Sequence, residues 1–231
     1  VEEFMIMRKE SGGDINRKNL NLHNSINITD SFMKDVERNE MWDLIDPNDQ
    51  TVRDSIRARK VWETVLETRY RTGEPYLNFI DTVNRALPQT MKDKGLKIHG
   101  SNLCNEIHLP TADDRTAVCC LSSVNLEKYD EWKNTPMIRD LVRFLDNVLQ
   151  FFIEHAGDEI SRARYSAEQE RSLGLGAMGW HSYLHKHRIP FESDIAKEKN
   201  IEIFDYIKTE SVIESVQLAE ERGECPDMEG T

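Results

Sequence analysis

The chain has 231 residues, 38% hydrophobic and 31% charged, with 30 basic against 42 acidic residues and a net charge of −12. It is long enough to bury a core as one large domain or two small ones, and its acidic balance makes it a poor partner for nucleic acid polymers, which want a basic face. No apolar run reaches the length of a membrane span, no secretory pattern opens the sequence, and four cysteines without C-x-x-C or zinc-like spacing argue for reduced thiols in a cytoplasmic protein rather than a disulfide or zinc scaffold.

Residues 1–8 read as a helix end or a strand, residues 9–24 as a polar loop, and the partial alternation from Asn19 to Ile28 as a strand. Thr29-Asp30 is placed to cap a short helix from Ser31 to about Arg38. Trp42 to Pro47 reads as a loop or strand ending at Asp-Pro. Apolar residues at Val52, Ile56, Ala58, Val61, Trp62, Val65 and Leu66 predict a helix over 52–70, closed by Gly73. A strand follows over 75–80, then a polar loop over 92–101.

Residues 117–126 read as a strand. Met137 to His155 is the clearest helix, with Leu141, Leu145, Val148, Leu149 and Phe152 as the expected buried stripe. Arg171 to about Ala177 reads as a strand and Met178 to His187 as a helix. Asp194 to Arg222 reads as a long helix capped by Asp194, its mixed charges forming an exposed face. Alternating strands and helices predict an α/β fold with parallel strands. No linker composition interrupts 52–222, so one domain, or part of one, is expected. Val1 is not Met, and Gly223–Thr231 is turn-rich without a terminating element. Both ends read as truncated, so residues 1–231 are expected to be a fragment of a longer protein.

Three stretches carry chemistry. In Ser101-Asn102-Leu103-Cys104-Asn105-Glu106-Ile107, an amide, a thiol and a carboxylate occupy alternate positions. If the segment is extended, Asn102, Cys104 and Glu106 face one side. A second stretch, Ala117 to Leu126, contains Cys119 and Cys120 in an apolar run. Alternation turns Cys120 away from Cys119, which favours a packing role for Cys120. A third contains G-x-G-x-x-G at Gly174, Gly176 and Gly179, but the polar residues 167–171 before it are not the apolar strand that a dinucleotide site requires. The glycines are instead expected to permit close strand–helix packing. His181 and His185 lack the Glu of a zinc-protease motif and read as a solvated helix face, and Cys225 reads as part of a surface turn.

The first two stretches resemble the active-site core of the ribonucleotide reductase large subunit, and the opening residues 1–33 and the glycine-rich strand resemble it more weakly. The resemblance covers the whole chain and about the middle third of such a subunit. It implies part of a ten-stranded α/β barrel whose finger loop carries a radical cysteine. It also implies reduction of ribonucleoside diphosphates to deoxyribonucleotides. Residue by residue, the implied roles are the thiyl radical on Cys104, the base on Glu106, the substrate-orienting amide on Asn102, a substrate contact at Ser101, and half of the reducing dithiol on Cys119.

The resemblance further implies a radical-generating small subunit with a di-metal centre, an external dithiol reductant of the thioredoxin or glutaredoxin type, nucleoside triphosphate effectors, and a homodimer of the full large subunit. No metal ligands and no bound cofactor are assigned to this chain. The sequence Asn-Leu-Cys-Asn-Glu-Ile at 102–107 leans to class I. A cobalamin-dependent reductase, a Cys104 nucleophile paired with a nearby His such as His108, and a structural piece whose thiols are core are the alternatives. As an isolated fragment the chain is expected to be inactive, with exposed sheet edges.

Overall fold

The structure, a computed structural model, describes residues 23–229. The readings of residues 1–8, most of 9–24 and the first part of Asn19–Ile28 lie outside the described residues. The chain is mixed α/β and forms two compact units, one of residues up to Pro88 with Leu96–Pro110, the other of Gln89–Gly95 with Thr111 onward.

In the first unit, strand β1 (Ser25–Ile28) leads into helix α1 (Asp30–Arg38). Thr29 caps α1 by accepting a hydrogen bond from the Phe32 amide at 3.2 Å, and Asn39 in the left-handed region closes it. Strands β2 (Met41–Ile45) and β3 (Val52–Arg57) form an antiparallel hairpin. Helix α2 (Ala58–Thr72) follows and ends at Gly73, φ +80°. The helix predicted over 52–70 therefore begins six residues late. Val52 and Ile56 are an even number apart, so their spacing fits a strand face as well as a helix face. Turn contacts decide between them: Asp46 accepts from the Gln50 amide and donates to the Thr51 carbonyl, each at 2.9 Å.

Strand β4 (Tyr76–Phe79) pairs with β1 in parallel, with Asn27 opposite Asn78. Helix α3 (Ile80–Ala86), which sequence periodicity does not signal, completes this stretch. The core gathers Ile28, Phe32, Val36, Val61 and Val65, with Trp42 edge-on to Phe32 at 5.0 Å. Burying each such aliphatic side chain stabilises by about 1.5–3 kcal/mol.

The second unit takes in a one-turn helix, α4 (Gln89–Asp93), and the parallel pair β5 (Cys120–Asn125) and β6 (Leu173–Met178). Helix α5 (Tyr129–Trp132) follows β5, and α6 (Met137–His155) matches the predicted span. Its buried apolar residues are Ile138, Val142, Leu145 and Leu149, while Val148 is 40% exposed. The apolar stripe is thus rotated from the expected one. Helix α7 (Ser161–Glu170) was not legible, because it buries small or polar residues, Ser166, Ala167 and Glu170.

Helix α8 (Trp180–Lys186) starts after Gly179, φ +79°, where an added Cβ would lie 2.4 Å from Asn125 Oδ1 and 3.3 Å from the Glu127 nitrogen. The glycine is thus required by the close approach of strand and helix. The cap of helix α9 (Asp194–Arg222) is Ser193 rather than Asp194, its hydroxyl accepting from the Ala196 amide at 3.2 Å. Nor is α9 only an exposed face. It buries Ile203, Ile207 and Leu218, and its buried Glu214 pairs with Arg143 of α6 at 2.6 Å. Among the described residues the barrel implied by the resemblance is only partly present: their six strands form three two-stranded sheets.

Candidate active site

Asn102, Cys104 and Glu106 lie in the first unit, between its α3 and Pro110, and the segment is not extended. It is a tight turn. The Asn105 amide donates to the Asn102 carbonyl at 3.2 Å, and the Asn102 amide donates to the Ile107 carbonyl at 3.1 Å. The Asn102 side chain closes the loop from inside, its Oδ1 accepting from the Glu106 amide at 3.1 Å and the Ile107 amide at 3.0 Å. Asn105 reverses the chain in the left-handed region, φ +66°. Asparagine tolerates that conformation because its short amide bonds locally. These contacts satisfy the amides that a strand neighbour would otherwise take, which is why the alternation rule does not apply here.

The turn exposes Leu103, Cys104 and Glu106 and leaves Ser101, Asn102 and Asn105 partly buried. A thiol and a carboxylate two residues apart are therefore both exposed on a turn braced by the Asn102 side chain. Both lone pairs of Asn102 Oδ1 are committed to the loop, so Asn102 retains only its Nδ2 hydrogens for a ligand. Ser101 directs its hydroxyl to the Asn102 carbonyl at 3.1 Å.

Behind the loop lie polar contacts that pattern reading missed. Asn105 Nδ2 donates to the Leu77 carbonyl of β4 at 3.2 Å. His108 Nε2 lies 3.0 Å from Oδ1 of the buried Asn78. An Asn in an otherwise apolar strand was a visible signal that a partner must exist, but not which one.

Cys119 is in the second unit, directly before β5, half-buried, with its Sγ 3.7 Å from the Cys120 carbonyl. Cys120 is half-buried on β5, and burial, aided by the Asp146 carboxylate, pushes its thiol pKa up. Cys225 departs from the surface-turn reading. It is half-buried at a cavity of about 630 Å³ bordered by Asp146, Arg171, Arg222 and Met228, and burial raises its pKa. His181 and His185 are exposed, as expected. Among the described residues no cluster of His, Cys, Asp and Glu could hold a metal ion, and no helix is long and apolar enough to cross a membrane.

Comparison with known proteins gives a consistent picture. A family model described as ribonucleotide reductase, barrel domain, matches residues 1–231. A Frog virus 3 (isolate Goorha) protein that carries the name of a ribonucleoside-diphosphate reductase large subunit is 60% identical over 231 residues, covering 99% of this chain and 41% of that protein. The ribonucleoside-diphosphate reductase large chain of Schizosaccharomyces pombe is 32% identical over 255 aligned residues, covering 100% of this chain and 31% of its own length. Among solved structures, the class Id ribonucleotide reductase alpha subunit of Actinobacillus ureae superposes with a TM-score of 0.82 at 34% identity, over 99% of this chain and 41% of that one. This chain accordingly spans about two fifths of the viral relative and of the solved structure. Matched by the family model from its first residue to its last, the chain belongs to the ribonucleotide reductase barrel-domain family.

Proposed function

We propose that the complete protein is the large subunit of a class I ribonucleotide reductase, converting ribonucleoside diphosphates to 2′-deoxyribonucleoside diphosphates. The observation that carries this reading is the braced turn that exposes Cys104 and Glu106 together. A sulfur radical on Cys104 takes the 3′ hydrogen atom of the ribose, forming S–H as the C–H bond breaks. Glu106 accepts the 3′ hydroxyl proton while the 2′ hydroxyl, protonated by a thiol of the reducing dithiol, departs as water. Asn102 Nδ2 orients the diol, and Ser101 borders the substrate. The dithiol that includes Cys119 becomes a disulfide, supplying two electrons, the proton that leaves in the water and the hydrogen of the new C2′–H bond; Glu106 returns its proton to O3′, and Cys104 then returns its hydrogen to C3′ and regains the radical.

The radical is supplied by a separate small subunit with a di-metal centre, and the disulfide is re-reduced by a thioredoxin- or glutaredoxin-type dithiol. Nucleoside triphosphate effectors and a homodimer of the full subunit belong to the same reading. The expected compartment is the cytoplasm, where thiols stay reduced.

The test is deoxynucleotide formation by the full-length subunit with its small subunit and a dithiol. Cys104→Ser should abolish product while substrate binding persists. Cys119→Ser should stop turnover that depends on the dithiol. Undiminished product from Cys104→Ser would overturn the reading.

A further inference from the structure

We infer that His108, Asn78 and Asn27 are positioning residues for the Cys104 loop, forming a one-way hydrogen-bond relay that fastens both ends of the loop to the β1–β4 pair. The inference rests on the reductase reading above. Asn27 Nδ2 donates to the His99 carbonyl at 2.8 Å, so its Oδ1 is left to accept. Asn78 Nδ2 fills that place at 2.8 Å, which leaves Asn78 Oδ1 as an acceptor. His108 Nε2 lies 3.0 Å from it and must therefore carry the hydrogen. The three contacts assign one another: turning either amide over would set donor against donor or oxygen against carbonyl.

The register explains why the relay exists. Asn27 and Asn78 are opposite each other in the parallel pair, so their side chains are neighbours on one face. Asn78 is 2% exposed, and a buried amide that loses a partner carries an uncompensated desolvation cost. Each bond in the series also polarises the next. His99 stands three residues before Asn102, and His108 two residues after Glu106. Both flanks of the turn are thus tied to the same two amides, and Asn105 Nδ2 on the Leu77 carbonyl adds a third point at the turn itself.

Hydrogen-atom transfer to Cys104 demands close approach. A displacement of about 1 Å at a reacting centre can cost on the order of a hundredfold in rate. A relay that only stabilised the fold would change the amount of folded protein and leave the chemistry of each folded molecule alone. A relay that positions Cys104 should slow the hydrogen-transfer step itself.

The experiment uses the full-length large subunit with its small subunit and dithiol, and substrate carrying hydrogen or deuterium at C3′. His108→Phe keeps a ring without the donor, and His108→Gln keeps an Nε2–H donor without the ring. His108→Phe should lower kcat by roughly ten- to a hundredfold and enlarge the 3′-deuterium isotope effect on kcat/KM, as abstraction becomes the slow step. His108→Gln should stay within about threefold of the parent on both measures. Thermal melting of each variant reports folding, and Asn27→Ala, which removes the bonds of Asn27 to both the His99 carbonyl and Asn78 Nδ2, should give the same isotope signature if His108→Phe does not fold. A parental kcat and isotope effect in His108→Phe, or in Asn27→Ala where His108→Phe does not fold, would overturn the relay. So would a His108→Gln variant as impaired as His108→Phe. A parent subunit that reduces no ribonucleotide under these conditions overturns the reductase reading instead, so the two failures are distinguishable.

Discussion

Asn102 carries a bracing contact and a proposed substrate contact that a pair of substitutions can separate. Its Oδ1 accepts from two backbone amides, Glu106 at 3.1 Å and Ile107 at 3.0 Å, and the proposed mechanism gives its Nδ2 to the substrate. Each bond contributes about 0.5–1.5 kcal/mol net, so Asn102→Ala should ease local opening of the turn by about 1–3 kcal/mol. That corresponds to roughly five- to 150-fold faster hydrogen exchange at the Glu106 and Ile107 amides. Glu106 is exposed, and water can replace part of what is lost, so the lower end is expected. Asn102→Asp has nearly the same shape, and its carboxylate oxygen still accepts from both amides, with charge assistance. Exchange should then be no faster than in the parent once intrinsic rates are corrected. Asp cannot donate to the ribose, however, and it sets a second negative charge near Glu106. Turnover should therefore fall by about tenfold or more in both variants. Exchange in Asn102→Asp as fast as in Asn102→Ala would refute the bracing role. Parental turnover in Asn102→Asp would refute the substrate role.

Glu170 is buried beside Arg115, accepting from its Nη1 at 3.1 Å and from Ser166 Oγ at 3.1 Å, with Asp227 accepting from the same Nη1. Burial raises its pKa above the ordinary 4.5 despite these donors, so the stability from its protonated form is full below 4.5 and is lost as pH rises through the higher folded value. Urea unfolding of the parent and of Glu170→Gln across that window should show the variant gaining on the parent as pH rises; a variant that falls behind the parent as pH rises would mean that the Arg115 pair outweighs burial. Thiol alkylation near pH 7.5 gives a third check. Exposed Cys104 should label first, while half-buried Cys120 and Cys225, with raised pKa values, should label slowly; faster labelling of Cys120 would contradict its packing role.

The legible parts of the fold were those whose signal is local. Thr29 announces α1, Gly73 ends α2, and the apolar periodicity of Met137–His155 bounds α6 to the residue. What failed had two physical sources. Where apolar residues are spaced evenly, as at Val52 and Ile56, strand and helix periods coincide and only the Asp46–Thr51 turn decides. Where the buried face is small or charged, as with Ser166, Ala167 and Glu170 of α7 or Glu214 of α9, hydropathy reads core as surface.

The site divides along the same line. Asn102, Cys104 and Glu106 could be singled out from sequence because an amide, a thiol and a carboxylate stand together there, whereas the turn that carries them depends on Asn102 acting as its own brace and on Asn105 taking a left-handed conformation. An Asn between Cys and Glu is a turn signal, but the expectation of an extended segment masked it. The support beneath was further out of reach. Asn27 and Asn78 are 51 residues apart in sequence and meet only through a parallel pairing. A hairpin fixes its register by its own turn, as β2–β3 does; a parallel pair takes its register from everything the crossover packs against. A polar residue in an apolar strand can therefore be recognised as needing a partner, while the partner is set by tertiary packing alone. The relay that holds the loop is thus the part of the site that only three-dimensional structure could supply, and it is also the part where His108, read from sequence as the possible partner of a nucleophilic cysteine, takes up a different task.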